Sequence, residues 1–399
     1  MSLRDRAEAV ILPTYPERPL ALVRGVGCTV WDEDGNAYLD LVGGLAVNSL
    51  GYGHPAAVQA LAEQAAVLGH VSNLFYSEPM VALAERLCAL SGQDRVFFCN
   101  SGAEAVEAAI KLARRTGRAR RGPAKHRIVC VEGAFHGRTL ATLAAGWSAA
   151  KREPFEPVPA GFEHVPRNDL AALAAAVGPD TCAVLVEPIQ GEGGVWQIDT
   201  EWLSLARELC DRHGALLVYD EVQTGIGRCG AWFCQELSAV RPDAIAVAKG
   251  LAGGLPIGAL LATDMPGTGF ERGDHATTFG GSPPIAAAAL AVLDAIERED
   301  LVANARAVGG HIAERAGALP GVDHVRGAGL LLGIELAEAP AAEVAEALRG
   351  RGILVNAITP TALRLVPPLC LSRSEADRFC ASFEDVLTAR RDQHATTVV

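Results

Sequence analysis

The chain has 399 residues, half of them hydrophobic and 21% charged, enough for a large core in two or three domains and far beyond a disulfide-stapled miniprotein. Against 35 basic residues stand 47 acidic ones, a net charge of -12, which excludes the broad cationic field that nucleic acid or an anionic membrane surface demands. No apolar run approaches the roughly 20 residues of a membrane-spanning helix.

In chain order, the opening MSLRDRAEAV carries Asp5 and Glu8 where a secretion signal needs its apolar centre, so a cytoplasmic protein is expected. The segment TVWDEDGNAYLDL has two alternating runs about Asp34-Gly35-Asn36 and predicts a β-hairpin. Five short apolar runs follow, Arg95 to Cys99, Arg127 to Val131, Thr181 to Val186, Ala215 to Tyr219 and Ala244 to Ala248. Their lack of alternation predicts strands buried on both faces. Segments of helical spacing lie between them, Ala103 to Arg115 and Glu201 to His213, the second introduced by Asp199 and Thr200 as candidate caps. Strand alternating with helix predicts an α/β fold with a mostly parallel central sheet.

The stretch Arg114 to Arg127 is rich in arginine, includes Lys125 and has no interleaved aromatics. It reads as a solvated helix end and loop rather than an RNA site. The ten cysteines are scattered, and the closest pair, Cys229 and Cys234, is spaced C-x4-C. Buried reduced thiols are expected, and no metal site.

The last hundred residues change pattern. A long helix from about Pro284 to Asp300 leads to a second helix, then LLLGIEL, a further helix and ILVNAI, a smaller α+β domain. The expected division is an N-terminal segment, residues 1–48, packing with the small domain, a large domain over 49–300, and the small domain over 301–399. There is no internal repeat and no low-complexity linker.

In an open parallel sheet, ligands bind beyond the carboxyl ends of the strands. The residues found there are Asn100-Ser101-Gly102-Ala103-Glu104, Glu187-Pro188, Asp220-Glu221 and Lys249-Gly250. Each alone fits an ordinary loop or cap; four in register point to a site. Lys249 precedes GLAGGLPIG, where a long amine has little polar company, can lose its proton and can attack an aldehyde. Asp220 ends the apolar run LLVYD and needs a cationic partner to stay ionised, which a pyridinium nitrogen would supply. Ser101-Gly102-Ala103 opens a helix, where free amides favour a phosphate. A Schiff-base anchor, a ring-nitrogen partner and an anion cradle are the requirements of pyridoxal 5'-phosphate.

The stretches CNSGAEAVEAAIKLAR, GAFHGRTLA, VEPIQGEGGV, LVYDEVQTGIGRCG, PDAIAVAKG and TTFGGSP stand in an order and spacing that resemble the class III, ornithine-type aminotransferases of fold type I. The resemblance runs from about Pro13 to the C-terminus and includes the 29-residue separation of Asp220 and Lys249. It implies a pyridoxal-phosphate enzyme that moves the terminal amine of a donor, N2-acetylornithine first among the candidates, to 2-oxoglutarate. It further implies a homodimer with shared active sites.

By resemblance, Lys249 would anchor the cofactor and shuttle the proton, Asp220 would keep the ring nitrogen protonated and Gln223 would reach the ring hydroxyl. Ser101, Gly102 and Ala103 would form the phosphate cradle, Phe135 would stack on the ring, and Thr278 would reach the phosphate in the other subunit. Arg138 and Arg364 would take substrate carboxylates, Glu192 would pair with Arg364 when the donor lacks a carboxylate there, and Glu187 would support the site from the side.

Several of these residues also have plainer readings on their own. Phe135 suits a core, Gln223 a loop hydrogen bond, Glu192 a solvated turn, and Arg364 the outward face of the alternating LRLVPPL. His136 reads as structural, since lysine already moves the proton. Ala103 departs from the threonine common in acetylornithine-type members, losing a hydroxyl contact to phosphate. Candidate pocket-lining residues are Val47, Asn48, Ser72, Asn73, Phe75 and Tyr76.

Rival chemistries lack their motifs. Gly327-Ala328-Gly329 has the wrong spacing for a dinucleotide fingerprint, H-E-x-x-H is absent, and Ser148 is not in G-x-S-x-G. A regulatory protein retaining the fold would be expected to have lost its anchor lysine. An aminomutase, or an aminotransferase for ornithine, succinylornithine, lysine, 4-aminobutyrate or a secondary-metabolite intermediate, is the alternative enzyme.

Overall fold

Runs of valine, isoleucine and leucine build a seven-stranded sheet in the order Arg95–Cys99, Gly258–Ala262, Ala244–Val247, Leu216–Asp220, Thr181–Val186, Arg127–Val131, Phe162–Val165. The computed structural model describes residues 2–16 and 18–397. Leu216–Asp220 is the central parallel strand, with Val218 opposite Ala244 on one side and Leu216 opposite Ala183 on the other.

Two of the seven strands have no counterpart among the sequence expectations. Gly258–Ala262 runs antiparallel to both neighbours, and its alanine-rich GALLA follows a glycine- and proline-rich turn that masks it. Phe162–Val165 carries Glu163 and His164 because it is the sheet edge, where alternate positions meet water.

The sheet is covered on both faces, which explains the unalternating strands. Ile128 and Cys130 pack with the helix Gly102–Arg121, whereas Val129 and Val131 pack with the helix Thr200–His213. Asp199 is the N-cap of the latter but makes no side-chain capping bond. Helix Gly102–Arg121 runs past the expected Arg115, and its last turn places Arg118, Arg120 and Arg121 at the negative end of the helix dipole.

Solvation of the basic stretch holds for those three arginines and fails for Lys125. That residue is 1% exposed, and its ammonium donates to the carbonyls of Pro179, Thr181 and His213 at 3.3, 2.5 and 2.9 Å. Arg127 is likewise engaged, by Glu163 and Asp180.

The two chain ends build the remaining large sheets. The hairpin forms as the turn predicts, with Thr29 opposite Leu39, Gly35 at φ +85 and Asp32 Oδ1 accepting from the amides of Asp34 and Asn36. Its second strand, Ala37–Asp40, pairs in parallel with Ile353–Leu354 from the far end of the chain. ILVNAI therefore divides: Ile353–Leu354 joins the N-terminal sheet, and Asn356–Ala357 joins Val322–Ala328, Leu331–Leu336 and Ala362–Leu365 in a second sheet. The helices Pro283–Arg298, Leu301–Gly317 and Arg373–Thr397 cover this end. Among the described residues, no helix is long and apolar enough to cross a membrane.

Candidate active site

The segments that follow five core strands converge on a cavity of about 440 Å³. Its walls include Asn100, Ser101, Gly102, Ala103, Phe135, Arg138, Glu187, Glu192, Asp220, Gln223 and Lys249. Residues from distant parts of the sequence thus share one surface because parallel strands deliver their carboxyl ends to one edge.

Asp220 is 4% exposed at the end of its strand. Its Oδ1 accepts from the Val222 amide at 3.1 Å, and its Oδ2 accepts from Nδ1 of buried His136 at 2.8 Å. Burial alone would lower the His136 pKa; the hydrogen bond and charge of Asp220 outweigh it, and the pKa rises above its ordinary value. His136 Nε2 has no partner among the described residues.

Lys249 starts a short turn straight after the strand Ala244–Val247, at φ +34, a strained backbone for a side-chain-bearing residue. Its side chain lines the cavity. The expectation of little polar company is overturned: Glu192, Asp220, Glu187 and Arg364 all act electrostatically on its amine. Burial lowers its pKa, Arg364 adds to that, and the carboxylates do not fully offset it. Glu187, 5% exposed, accepts from the Phe135 amide at 2.8 Å. Burial first, then the charge of Asp220, push its carboxyl well above the usual range.

At the helix N-terminus, Ser101 spends its hydroxyl locally by accepting from the Glu104 amide at 3.2 Å. A Cβ on Gly102 would lie 2.6 Å from Val222 Cγ1, so the close approach of helix and loop demands glycine there. Ala103 leaves this wall apolar. Phe135 is partly buried, with the Arg138 guanidinium 5.5 Å from its ring centroid.

Arg364 is 1% exposed, and all four residues of its strand, Ala362–Leu365, are buried. The outward-facing reading therefore fails, because both faces of the strand are covered. Its Nη1 donates to Glu192 Oε1 at 2.5 Å and to Gln223 Oε1 at 3.2 Å, and its Nη2 donates to Asn356 Oδ1 at 2.8 Å. Burial works against the Glu192 charge, but Arg364 overcomes it and holds the carboxyl below its usual range. Glu192 and Gln223 line the cavity and Arg364 stands behind them. Gly191 makes room for this arrangement, since a Cβ there would fall 1.9 Å from Gln223 Oε1.

Other expected residues lie elsewhere. Thr278 is exposed and outside the cavity walls. Of the candidate lining residues, Val47 is on the cavity, whereas Asn48, Ser72, Asn73, Phe75 and Tyr76 are not. Asn73 Nδ2 donates to the Thr277 carbonyl at 3.1 Å, tying this segment to the one that carries Thr278. Glu221 points away from the site, accepting from the Cys234 amide and Thr224 hydroxyl, and burial pushes its pKa up to about 7. Sequence reading missed Val222 and Asn356; the one signal for Asn356 was an amide amid the apolar ILVNAI.

Comparison with known proteins bears directly on this geometry. The family model for class III aminotransferases matches residues 12–387. Over 397 residues the chain is 50% identical to the acetylornithine aminotransferase of Mycolicibacterium smegmatis, covering 98% of this chain and 100% of that protein. Among solved structures, the acetylornithine aminotransferase of Elizabethkingia anophelis superposes with a TM-score of 0.86 at 33% identity, covering 96% of this chain and 98% of that one. An amine transaminase from an uncultivated Pseudomonas species, in its PLP-bound form, gives a TM-score of 0.86 at 30% identity over 95% and 98% of the two chains. The family model over most of the chain and the 50% identity over nearly its whole length establish that the chain belongs to the class III aminotransferases.

Proposed function

We propose that the protein transfers the terminal amino group of N-acetylornithine to 2-oxoglutarate, giving N-acetylglutamate 5-semialdehyde and glutamate, a step of arginine biosynthesis. The observation that carries this reading is the Glu192–Arg364 pair beside Lys249, a cation that one substrate needs and the other must not meet.

The residues fit pyridoxal phosphate. A lysine amine opens on the cavity, a buried carboxylate stands at a strand end, and a helix N-terminus with glycine at its first position faces the same space. When bound, the cofactor supplies an aldehyde to carry the amino group and an electron-poor ring to stabilise the carbanion left by proton removal.

Lys249 would bond the cofactor in the resting enzyme and move the proton at the reacting carbon, for which a lowered pKa suits it. Asp220, oriented by His136, would hold the proton on the ring nitrogen. Gln223 would meet the ring hydroxyl, Phe135 would cover the ring, and the amides of Gly102 and Ala103 would bind the phosphate. Glu187 would hold the Phe135 backbone in place. Arg138 would take the carboxylate remote from the reacting amine.

Glu192, paired with Arg364, would hide the guanidinium from the donor's methylene chain. Moved aside, it would free a planar fork for the glutamate α-carboxylate. A homodimer is part of the same reading, with Thr278 of the partner subunit completing each phosphate site. Exposed Phe75, Tyr76 and Phe279, at 69%, 90% and 64%, support it, as aromatics left in water on two segments that the Asn73–Thr277 hydrogen bond ties together. So is the division into residues 1–48, 49–300 and 301–399, supported by the pairing of Leu39 with Ile353.

The test is steady-state kinetics of the holoenzyme with 2-oxoglutarate and N-acetylornithine, ornithine, succinylornithine, lysine or 4-aminobutyrate. The largest kcat/KM is expected with N-acetylornithine; a clear preference for another donor overturns that assignment.

A further inference from the structure

A second cavity, of about 290 Å³, adjoins the first and shares Phe135, Gly137 and Glu192 with it. It extends beyond Phe135 to Trp147, Ser148 and Lys151. The Lys151 ammonium lies 5.4 Å from the Phe135 ring centroid, and the Arg138 guanidinium lies 5.5 Å from the same centroid. Neither cation has an ion pair or hydrogen bond among the described residues. The one acidic group on the shared wall is Glu192, which Arg364 already engages.

Two cations without a partner among the described residues, Arg138 on the first cavity and Lys151 on the second, each stand about 5.5 Å from the ring that both cavities share, and such a pair suits an anion. The indole of Trp147 and the small side chain of Ser148 leave room beside them for an uncharged group. An amine reacting at Lys249 must send its other end away from that lysine, and the second cavity is the adjoining space. We propose that this second cavity is the subsite for the remote end of the amino donor, with Lys151 joining Arg138 on its carboxylate while Trp147 and Ser148 flank a small acyl group. This inference rests on the donor class proposed above, and it makes Lys151 a residue that determines specificity without touching the reacting atoms.

The test compares N-acetylornithine with its decarboxylated analogue N-acetylputrescine in holoenzyme carrying Lys151→Ala or Lys151→Arg. Lys151→Ala should cut the ratio of kcat/KM for the carboxylated over the decarboxylated donor by about tenfold, the worth of one charge-assisted contact. The loss should fall on KM rather than kcat, and Lys151→Arg should restore most of the ratio. Ser148→Phe, which fills the cavity, should raise KM for N-acetylornithine more than for the shorter donor 4-aminobutyrate. An unchanged ratio in Lys151→Ala, or one lost through kcat and not recovered by arginine, overturns the subsite. A wild-type enzyme that ignores N-acetylornithine while reacting normally with glutamate overturns the donor assignment instead.

Discussion

Glu192 Oε1 accepts a hydrogen bond from Arg364 Nη1 at 2.5 Å, and in that arrangement Glu192 forms the cavity wall while Arg364 stands behind it. Glu192→Ala removes the cover and leaves a buried guanidinium with Gln223 and Asn356 as its remaining partners among the described residues. An uncompensated buried charge is costly, and an incoming carboxylate relieves it. Single-turnover measurements of the two half-reactions should show the rate ratio of N-acetylornithine to glutamate falling by about tenfold or more. A ratio equal to that of wild type would falsify the switch and leave Glu192 a structural residue.

Lys249 is the amine that opens on the cavity. Lys249→Ala should lose transamination by more than about a thousandfold, because among the described residues no other amine lines the cavity to move the proton. It should also lose the visible absorbance of the lysine-bound cofactor. Spectra and half-reaction rates on one preparation check both; normal turnover in the variant removes Lys249 from the mechanism.

His136 and Asp220 make a pH-dependent contribution to stability. Because the folded pKa of His136 is raised above its ordinary 6.5, this stabilisation is fully present below that value. It is lost as pH rises through the folded pKa. Urea unfolding of wild type and His136→Asn between about pH 5.5 and 9 should show the gap between them shrinking with pH. A gap that widens reverses the sign and contradicts the account.

Lys125 satisfies three carbonyls from two separate segments, Pro179 and Thr181 in one and His213 in the other. Lys125→Met keeps much of the stem but leaves those oxygens unpaired in a buried place. A loss of about 3 kcal/mol is expected by denaturant unfolding. A change below about 0.5 kcal/mol, as for an ordinary surface lysine, would return this residue to the solvated class.

The exposed aromatics Phe75, Tyr76 and Phe279 bear on assembly. Phe279→Asp, next to Thr278, should shift sedimentation from dimer toward monomer and reduce activity in the same proportion. A monomer as active as wild type would rule out sites completed by a partner.

What the sequence made legible follows from local physics. Unalternating runs such as Thr181–Val186 can only be strands covered on both faces, and the polar residues at their carboxyl ends could be collected before any coordinates existed. Glu187, Asp220 and Lys249 were found this way. What escaped depends on distant chain. Arg364 alternates with leucines like a surface residue, and its burial is decided by Asn356 and Glu192, the latter 172 residues away. Lys125 looks solvated until three carbonyls from elsewhere surround it. The antiparallel strand Gly258–Ala262 was hidden because alanines and a neighbouring glycine turn carry little strand signal.

The pairing of Leu39 with Ile353 sets an order of events during synthesis. The strand Ala37–Asp40 leaves the ribosome early, yet the strand beside it is made only when translation is almost finished. Until then the hairpin presents an open edge, while the parallel sheet between them can already collapse. A chain stalled or clipped before residue 353 would keep that edge unpaired, the geometry that invites strand addition from another chain. The enzyme therefore reaches its final form last at its two ends, and dependence on chaperones should concentrate in that interval.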